Sequence, residues 1–444
     1  MKGYKKLACC MLAAAMVTAT GAALVGCGGE DDGDTAEIKT VKVWLHKSES
    51  EVEGQLYKSI QNNFNDEEFK TSSGRTIRMR IEFYTNADSL ATAIRTEKTG
   101  GTLPDVVAVD SPDIARYADQ KILTDISSYI EEETLADYVD SVVEQGTING
   151  GLYALSGMDS PTGLYYNREL LKSVGYTDDQ FGTIENPWTW DDVKEAMTKL
   201  KEADKKYQIK LNLGFGGKEG GMYLYSPLVY SAGGSFMNEQ GKPSGAFDSD
   251  QTVAGLQQIE WLFDEGEKWY YEGQNADAFL QEQTAFEVYG TWNIATANQK
   301  YTSFVSKYGV MPMPVYKDAQ GNKGTVSAGC GSWGFGVTPD AKDKEAAAKV
   351  VEYLTSAQSS ELLYDSIGTF PTHKSSFEND DFKSGPVKMF ADILTNCATP
   401  RPVTVNYTKY RDAFQTLIEY MQTSYGSKDY NLKTKATGLC ATIN

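Results

Sequence analysis

TVKVWL (Thr40–Leu45), EVEGQLYKSIQNNF (Glu51–Phe64), IRMRIEF (Ile77–Phe83), DSLATAIRTEK (Asp88–Lys98) and DVVAV (Asp105–Val109) follow one another with short breaks between them. The first and third alternate apolar and polar residues, the period of a strand. The second carries Val52, Leu56, Ile60 and Phe64 at helical spacing, and Asp88–Lys98 also reads as a helix. Asp105–Val109 is a short apolar run, suited to a fully buried strand. Strands alternating with helices predict βαβ units and a parallel α/β sheet. Ligands of open α/β sheets sit beyond the carboxyl ends of the strands, here the positions of Trp44-Leu45-His46, Tyr84 and Asp110.

Downstream, the spacing predicts a helix opening near Thr189 or Trp190 and running to about Leu200, with acids in its first turn. Further helices are expected at Ser226–Ser231, Thr252–Glu265, Asp343–Thr355, Tyr410–Tyr425 and Lys428–Thr442, with strands at Ala285–Tyr289 and Phe335–Val337. Tyr165 and Tyr166 lie on opposite faces of one more strand, one in the core and the other outward.

Upstream, Met1–Gly26 has Lys2, Lys5 and Lys6, then an apolar stretch, then Leu24-Val25-Gly26-Cys27. A basic start, an apolar middle and small residues before a cut site make an export signal. The tetrad resembles the lipobox of bacterial lipoproteins, in which the cysteine is acylated and becomes the first residue of the mature chain. Residues 28–34 (GGEDDGD) continue as a flexible acidic tether.

Removing residues 1–26 from the 444 leaves a chain too long for one ordinary core and suited to two domains. The formal charge of −19 becomes more negative once the three signal lysines leave. Such a body repels nucleic acid and anionic head groups. The six cysteines contain no CxxC zinc or redox pair, and Cys330, Cys397 and Cys440 allow either one disulfide or free thiols. Two histidines, His46 and His373, leave little scope for metal or histidine-based catalysis. GxSxG, HExxH and GxxxxGK[ST] are absent. One GxGxxG, at Gly329, Gly331 and Gly334, leads into a strand rather than a helix and is read as chance. No cofactor is implied. Paired carboxylates for glycoside hydrolysis are a spatial arrangement and stay open.

Five segments, in order, resemble the family 1 extracellular solute-binding proteins, the sugar-capturing components of ABC importers. They are Pro104–Asp110 with Ala118–Ile126; Leu164–Leu171 with Val174–Tyr176 and Pro187–Trp190; Ala232–Phe236 with Asn238–Pro243; Phe286–Trp292 with Tyr308–Pro314; and Gly334–Thr338 with Gly368–Pro371. The resemblance implies a periplasmic-binding-protein-like α/β fold, two lobes around a ligand cleft. The lobes are expected at 39–160 with 331–373 and at 161–330 with 374–444, after the signal (1–26) and tether (27–38). Hinge crossings are expected near Ser156–Pro161, Cys330–Gly331 and Thr372–Lys374.

The family's cleft positions fall on particular residues here. Trp292 matches the aromatic that stacks on ligand, against a reading as a core tryptophan. Asp110 matches the acid at a strand end, against a reading as a helix N-cap. Trp44 and His46 match first-strand positions, although Trp44 could equally face the core. Tyr223 matches a cleft aromatic, with the family's acid displaced to Glu219. Beyond these matches, Trp333 at a hinge crossing, Arg401 and Tyr407 reaching in from the second lobe, and Asp159 with Ser160 at a hinge border are the further cleft candidates. A pyranose needs an aromatic ring for its C–H face and charged or amide groups for its hydroxyl rim, and 7 Trp, 27 Tyr and 17 Phe supply the rings. The function so implied is a monomeric, lipid-anchored extracellular protein that captures an oligosaccharide and hands it to ABC permease subunits, without catalysis. A binding protein for a phosphorylated polyol, a secreted glycoside hydrolase and a glycan-holding adhesin are the alternatives.

Overall fold

A computed structural model of the chain describes residues 34–215, 217–331 and 333–443. The signal and Cys27 lie outside these residues. Two four-stranded sheets organise the chain. In the first, strand Ile38–Leu45 lies parallel to Thr76–Phe83 along eight residue pairs and parallel to Val106–Asp110 on its other side. Trp333–Val337 closes that sheet as an antiparallel edge on Val106–Asp110. In the second, Thr162–Asn167 pairs antiparallel with Phe286–Gly290 and Tyr308–Met311, and Ile209–Lys210 lies parallel to Phe286–Gly290. The wholly parallel sheet expected from the alternation is therefore a mixed one. Trp333–Val337 enters its sheet after crossing from strand Ala328–Cys330, so it starts at the carboxyl end of Val106–Asp110 and must run backwards.

Local chemistry explains the helices that cover these sheets. Val52–Glu67 buries Tyr57, Ile60 and Phe64 on one stripe. Ala87–Gly100 starts from a reciprocal cap between Asn86 and Ser89 and stops at Gly101 in the left-handed region. Trp190–Glu202 has the same kind of cap between Thr189 and Asp192, and Lys199 and Lys201 complement its last turn. Two helices differ from expectation. Glu219–Ser231 starts seven residues earlier, because burial of nearly every side chain outweighs the poor propensity of Gly220, Gly221 and Pro227. The helix expected over Thr252–Glu265 covers only Asp250–Gln257, followed by a tighter turn at Glu260–Phe263.

Tyr165 and Tyr166 do point to opposite faces, but neither points outward. Tyr165 packs among Phe279, Tyr308 and Phe390, and Tyr166 against Phe181, because both faces of the second sheet are covered. Cys330, Cys397 and Cys440 are free thiols. Gly329 and Gly331 bracket a crossing into a strand, not a helix start. Among the described residues, no helix is long and apolar enough to cross a membrane. At the amino end of the first strand, Asp34 accepts the Thr40 backbone N–H at 2.7 Å and pairs with Lys39 Nζ at 3.3 Å.

Candidate functional site

The carboxyl end of Val106–Asp110, the start of Glu219–Ser231 and the segment after strand Ala398–Pro400 converge on one guanidinium. Arg401, 7% exposed, donates from Nη2 to Asp110 Oδ1 at 3.2 Å and to Ser111 Oγ at 3.1 Å, and from Nη1 to Glu219 Oε2 at 3.0 Å. Its carbon lies 5.3 Å from the Tyr223 ring centre and 5.9 Å from that of Tyr407. Tyr407 donates its hydroxyl to the same Glu219 oxygen, and Arg411 Nη1 donates to Glu219 Oε1 at 2.9 Å. Burial would raise the Glu219 carboxyl, but Arg401, the Tyr407 hydroxyl and Arg411 outweigh it and hold it below the ordinary range. Asp110 moves the other way: burial raises it, with Glu219 and Asp113 adding to that, and Arg401 only partly offsets the rise.

Gly331 makes room for this arrangement. Its φ of +144° suits glycine, and a Cβ there would lie 2.6 Å from Arg401 Nη2. The Gly331 N–H donates to Asp159 Oδ1 at 2.6 Å. Asp159, fully buried, also accepts from Ser160 N–H at 2.7 Å, Gln145 Nε2 at 3.2 Å and Ser141 Oγ at 3.3 Å. Burial raises its carboxyl despite these donors. Asp159 thus ties segment 156–161 to the Cys330–Gly331 crossing, and the Tyr223 hydroxyl, which donates to the Ser160 carbonyl, joins both to the cluster.

An aromatic group adjoins the charges through Tyr223. Trp292, the residue that opens helix Trp292–Lys300, stacks on Phe215 with ring centres 5.0 Å apart at 11°, and meets Tyr289 edge-on at 4.9 Å and Tyr223 at 6.0 Å. Gly290 permits this fold-back, since a Cβ there would lie 2.1 Å from the indole. Asn293 Nδ2 pins the helix start to Glu287 Oε2 at 2.9 Å, and Glu287 is itself paired with Lys210 at 2.8 Å. Trp292 and Phe215 keep partial exposure.

On the far side of Asp110, Trp333 lies beside it in the strand register and stacks on His46 with ring centres 3.5 Å apart at 17°. A recess of about 140 Å³ lined by Asp110, Asp113, Tyr117 and Trp333 opens there. Burial, with Lys47 adding to it, lowers the His46 pKa to about 3, and burial, opposed by Asp137, lowers that of His373 to about 4. Both rings are neutral at pH 7, whereas in the unfolded chain they protonate near 6.5. Stability is therefore full above that value and falls as the pH drops, by about 1.4 kcal/mol per pH unit for each histidine. The double substitution His46→Gln, His373→Gln is expected to flatten the loss between about pH 6.5 and 4.5, read as denaturant midpoints. Equal slopes for both proteins would contradict it.

The structure thus brings together Asp110, Arg401, Tyr407, Tyr223 and Trp292, with Asp159 behind them and Trp333 and His46 beside Asp110. Trp44 stands apart from this group. Its indole N–H is spent on Glu82 at 2.8 Å, its ring packs on Tyr84, and it lines a separate recess of about 700 Å³ with Lys39, Lys42 and Asp105. Strand alternation places it on the face of Lys42, opposite Val43 and Leu45. The residues that the sequence reading omitted are Phe215, Arg411 and Gln415, and Glu219 entered it only as the family's displaced acid. Glu219 carried a signal in its position just upstream of Tyr223; the others carried none.

The sequence matches the family described as bacterial extracellular solute-binding protein over residues 54–361. A probable ABC transporter-binding protein of Deinococcus radiodurans is 26% identical over 331 residues, 70% of this chain and 74% of that one. The multiple sugar-binding protein of Streptococcus mutans is 21% identical over 100% of this chain and 98% of its own. The solved structure of the cyclic alpha-maltosyl-1,6-maltose binding protein from Arthrobacter globiformis is similar with a TM-score of 0.75 at 20% identity, covering 91% of this chain and 99% of that one. At that identity the likeness is one of fold: two α/β lobes of the periplasmic-binding-protein kind. With the family matched across most of its length, the chain belongs to the bacterial extracellular solute-binding proteins.

Proposed function

We propose that this protein captures a carbohydrate, an oligosaccharide in particular, between two lobes and delivers it to the permease of an ABC importer. The observation that carries the reading is the part-exposed Trp292–Phe215 stack joined through Tyr223 to the hydrogen-bonding groups of Asp110, Arg401 and Glu219. Such a surface offers a ring to the C–H face of a pyranose and polar groups to its rim. The names of the relatives from S. mutans and A. globiformis support a sugar ligand. In this reading the lobes are 39–160 with 331–373 and 161–330 with 374–444, and they close about the crossings that meet at Asp159.

A thermal-shift and calorimetric panel of mono- and oligosaccharides tests the reading, since a ligand of the folded state alone raises the melting temperature. A shift with an oligosaccharide and no turnover of a labelled one is expected. Hydrolysis of the label would favour the glycosidase reading, and no response to any sugar would remove carbohydrate.

The proposal includes a lipid anchor at Cys27, with the acidic run after it as a spacer that lets the body reach its permease. Cys27→Ser is expected to release the protein to the medium with unchanged ligand affinity, measured by fractionation and calorimetry. Retention at the membrane would remove the anchor, and a fall in affinity would contradict the separation of anchor from binding body.

A further inference from the structure

The charges of the site's cations are already compensated. Arg401 divides its terminal nitrogens between Asp110 and Glu219, and Arg411 between Glu219 and Asp412, with Arg411 Nη2 to Asp412 at 2.9 Å. Lys218, the remaining base, is mostly exposed and pairs with Asp412 at 3.2 Å. Three acids face three bases, and the two arginines nearest the rings share the Glu219 carboxylate. Both Glu219 oxygens are occupied, one by Arg411 and the other by Arg401 and Tyr407. An anionic ligand would find no uncompensated positive charge here, and would be repelled by carboxylates that already hold the guanidinium forks.

Single polar atoms around these charges are nevertheless left without partners. Arg401 Nε and Trp292 Nε1 are buried donors with no acceptor, and Gln415 Oε1 is a buried acceptor with no donor. All three surround the first turn of helix Glu219–Ser231. The Gln415 oxygen lies 2.4 Å from where a Gly221 Cβ would stand, Arg401 covers Tyr223, and Trp292 abuts the same ring. A buried polar atom without a partner is costly, and a set of two donors and one acceptor suits hydroxyls, which both donate and accept.

We infer that Glu219 is a specificity determinant: by quenching Arg401 and Arg411 it commits the site to neutral sugars and turns away sugar phosphates and uronic acids. The inference rests on the carbohydrate reading and narrows it against capture of a phosphorylated polyol. Glu219→Gln keeps the shape of the side chain and one accepting oxygen, but puts an NH2 that cannot accept where the other oxygen stood, and removes the single negative charge that the two guanidiniums share.

The test titrates wild type and Glu219→Gln with maltotriose, with a glucuronate-terminated counterpart, with glucose 6-phosphate and with inorganic phosphate, read by calorimetry and thermal shift. Wild type is expected to favour the neutral sugar over its acidic counterpart at least tenfold. The variant should narrow that ratio tenfold or more and acquire a phosphate-dependent thermal shift that wild type lacks. Equal wild-type affinity for neutral and acidic sugars would overturn the inference, as would a folded variant with an unchanged ratio and no phosphate response. Should Glu219→Gln not fold, the wild-type titrations decide: a preference for the neutral sugar below tenfold, or a phosphate-dependent thermal shift, overturns the inference. Wild type binding no sugar would sink the carbohydrate reading, and the phosphate comparison alone would then decide the role of Glu219.

Discussion

Arg401→Met is expected to destabilise the folded protein by about 3 kcal/mol, measured by denaturant unfolding of the ligand-free protein. The expectation follows from what the substitution leaves behind. Asp110 and Glu219 approach one another through Arg401, and without it two partly buried carboxylates face each other across a space that the methionine fills with hydrocarbon. Removing one partner of a buried ion pair costs roughly 3–5 kcal/mol because the survivor stays uncompensated. Asp110 keeps 33% of its side chain exposed and Glu219 25%, which argues for the low end of that range. Arg401→Lys should recover only part of the loss, since a single ammonium cannot span two carboxylates and Ser111 as the planar fork does. Adding Glu219→Gln to Arg401→Met should also recover part, a coupling that a double-mutant cycle reads directly. Wild-type stability in Arg401→Met would show that the network behaves as a solvated surface cluster.

Trp292→Ala is expected to weaken oligosaccharide binding tenfold or more while leaving the melting temperature of the ligand-free protein within a few degrees. Stacking of a sugar on an aromatic face is taken as worth on the order of 1–2 kcal/mol, and about 1.4 kcal/mol is a factor of ten in affinity. The fold should survive because the helix that Trp292 opens is held by other residues: Asn293 through Glu287, and the buried Ile294 and Ala297. Trp292→Phe should lose less than the alanine variant, because a ring remains opposite Phe215. Unchanged affinity in calorimetry would remove Trp292 from the site. A collapse in melting temperature would instead make it a core residue, the competing reading of a half-buried tryptophan.

Much of the fold was legible because segment 40–109 has clean periodicity. Strands expected at Thr40–Leu45 and Ile77–Phe83 occupy Ile38–Leu45 and Thr76–Phe83, and the cap at Thr189 falls where its side chain and Asp192 require. Strand direction was not legible, since alternation of hydrophobicity carries no information about which end of a neighbour the chain enters. Helix Glu219–Ser231 was half hidden by Gly220, Gly221 and Pro227, whose local preferences oppose a conformation that only its neighbours enforce. The site divided along the same line. Asp110 could be proposed from a strand end, because topology places such ends together. Glu219 could not be weighed, because its partners Arg401 and Arg411 lie 182 and 192 residues away along the chain. Trp44 and His46, two positions apart, illustrate the limit of alternation. Within the strand it assigns Trp44 to a face, but His46 stands past the last paired residue and reaches Trp333.

The Asp34–Lys39 contact at the amino end of strand Ile38–Leu45 has a mechanical meaning. With the anchor proposed at Cys27, any drag on the body is applied at that end, while Asp110 and Arg401 stand at the other, about 25 Å away along an eight-residue strand. The strand is in parallel register with Thr76–Phe83 over its whole length. A load along the strand axis is borne in shear, shared by the whole ladder of hydrogen bonds at once, rather than peeled from one bond to the next. A leash attached in this way would hold the protein against flow without prising open the sheet whose strand Val106–Asp110 ends at Asp110.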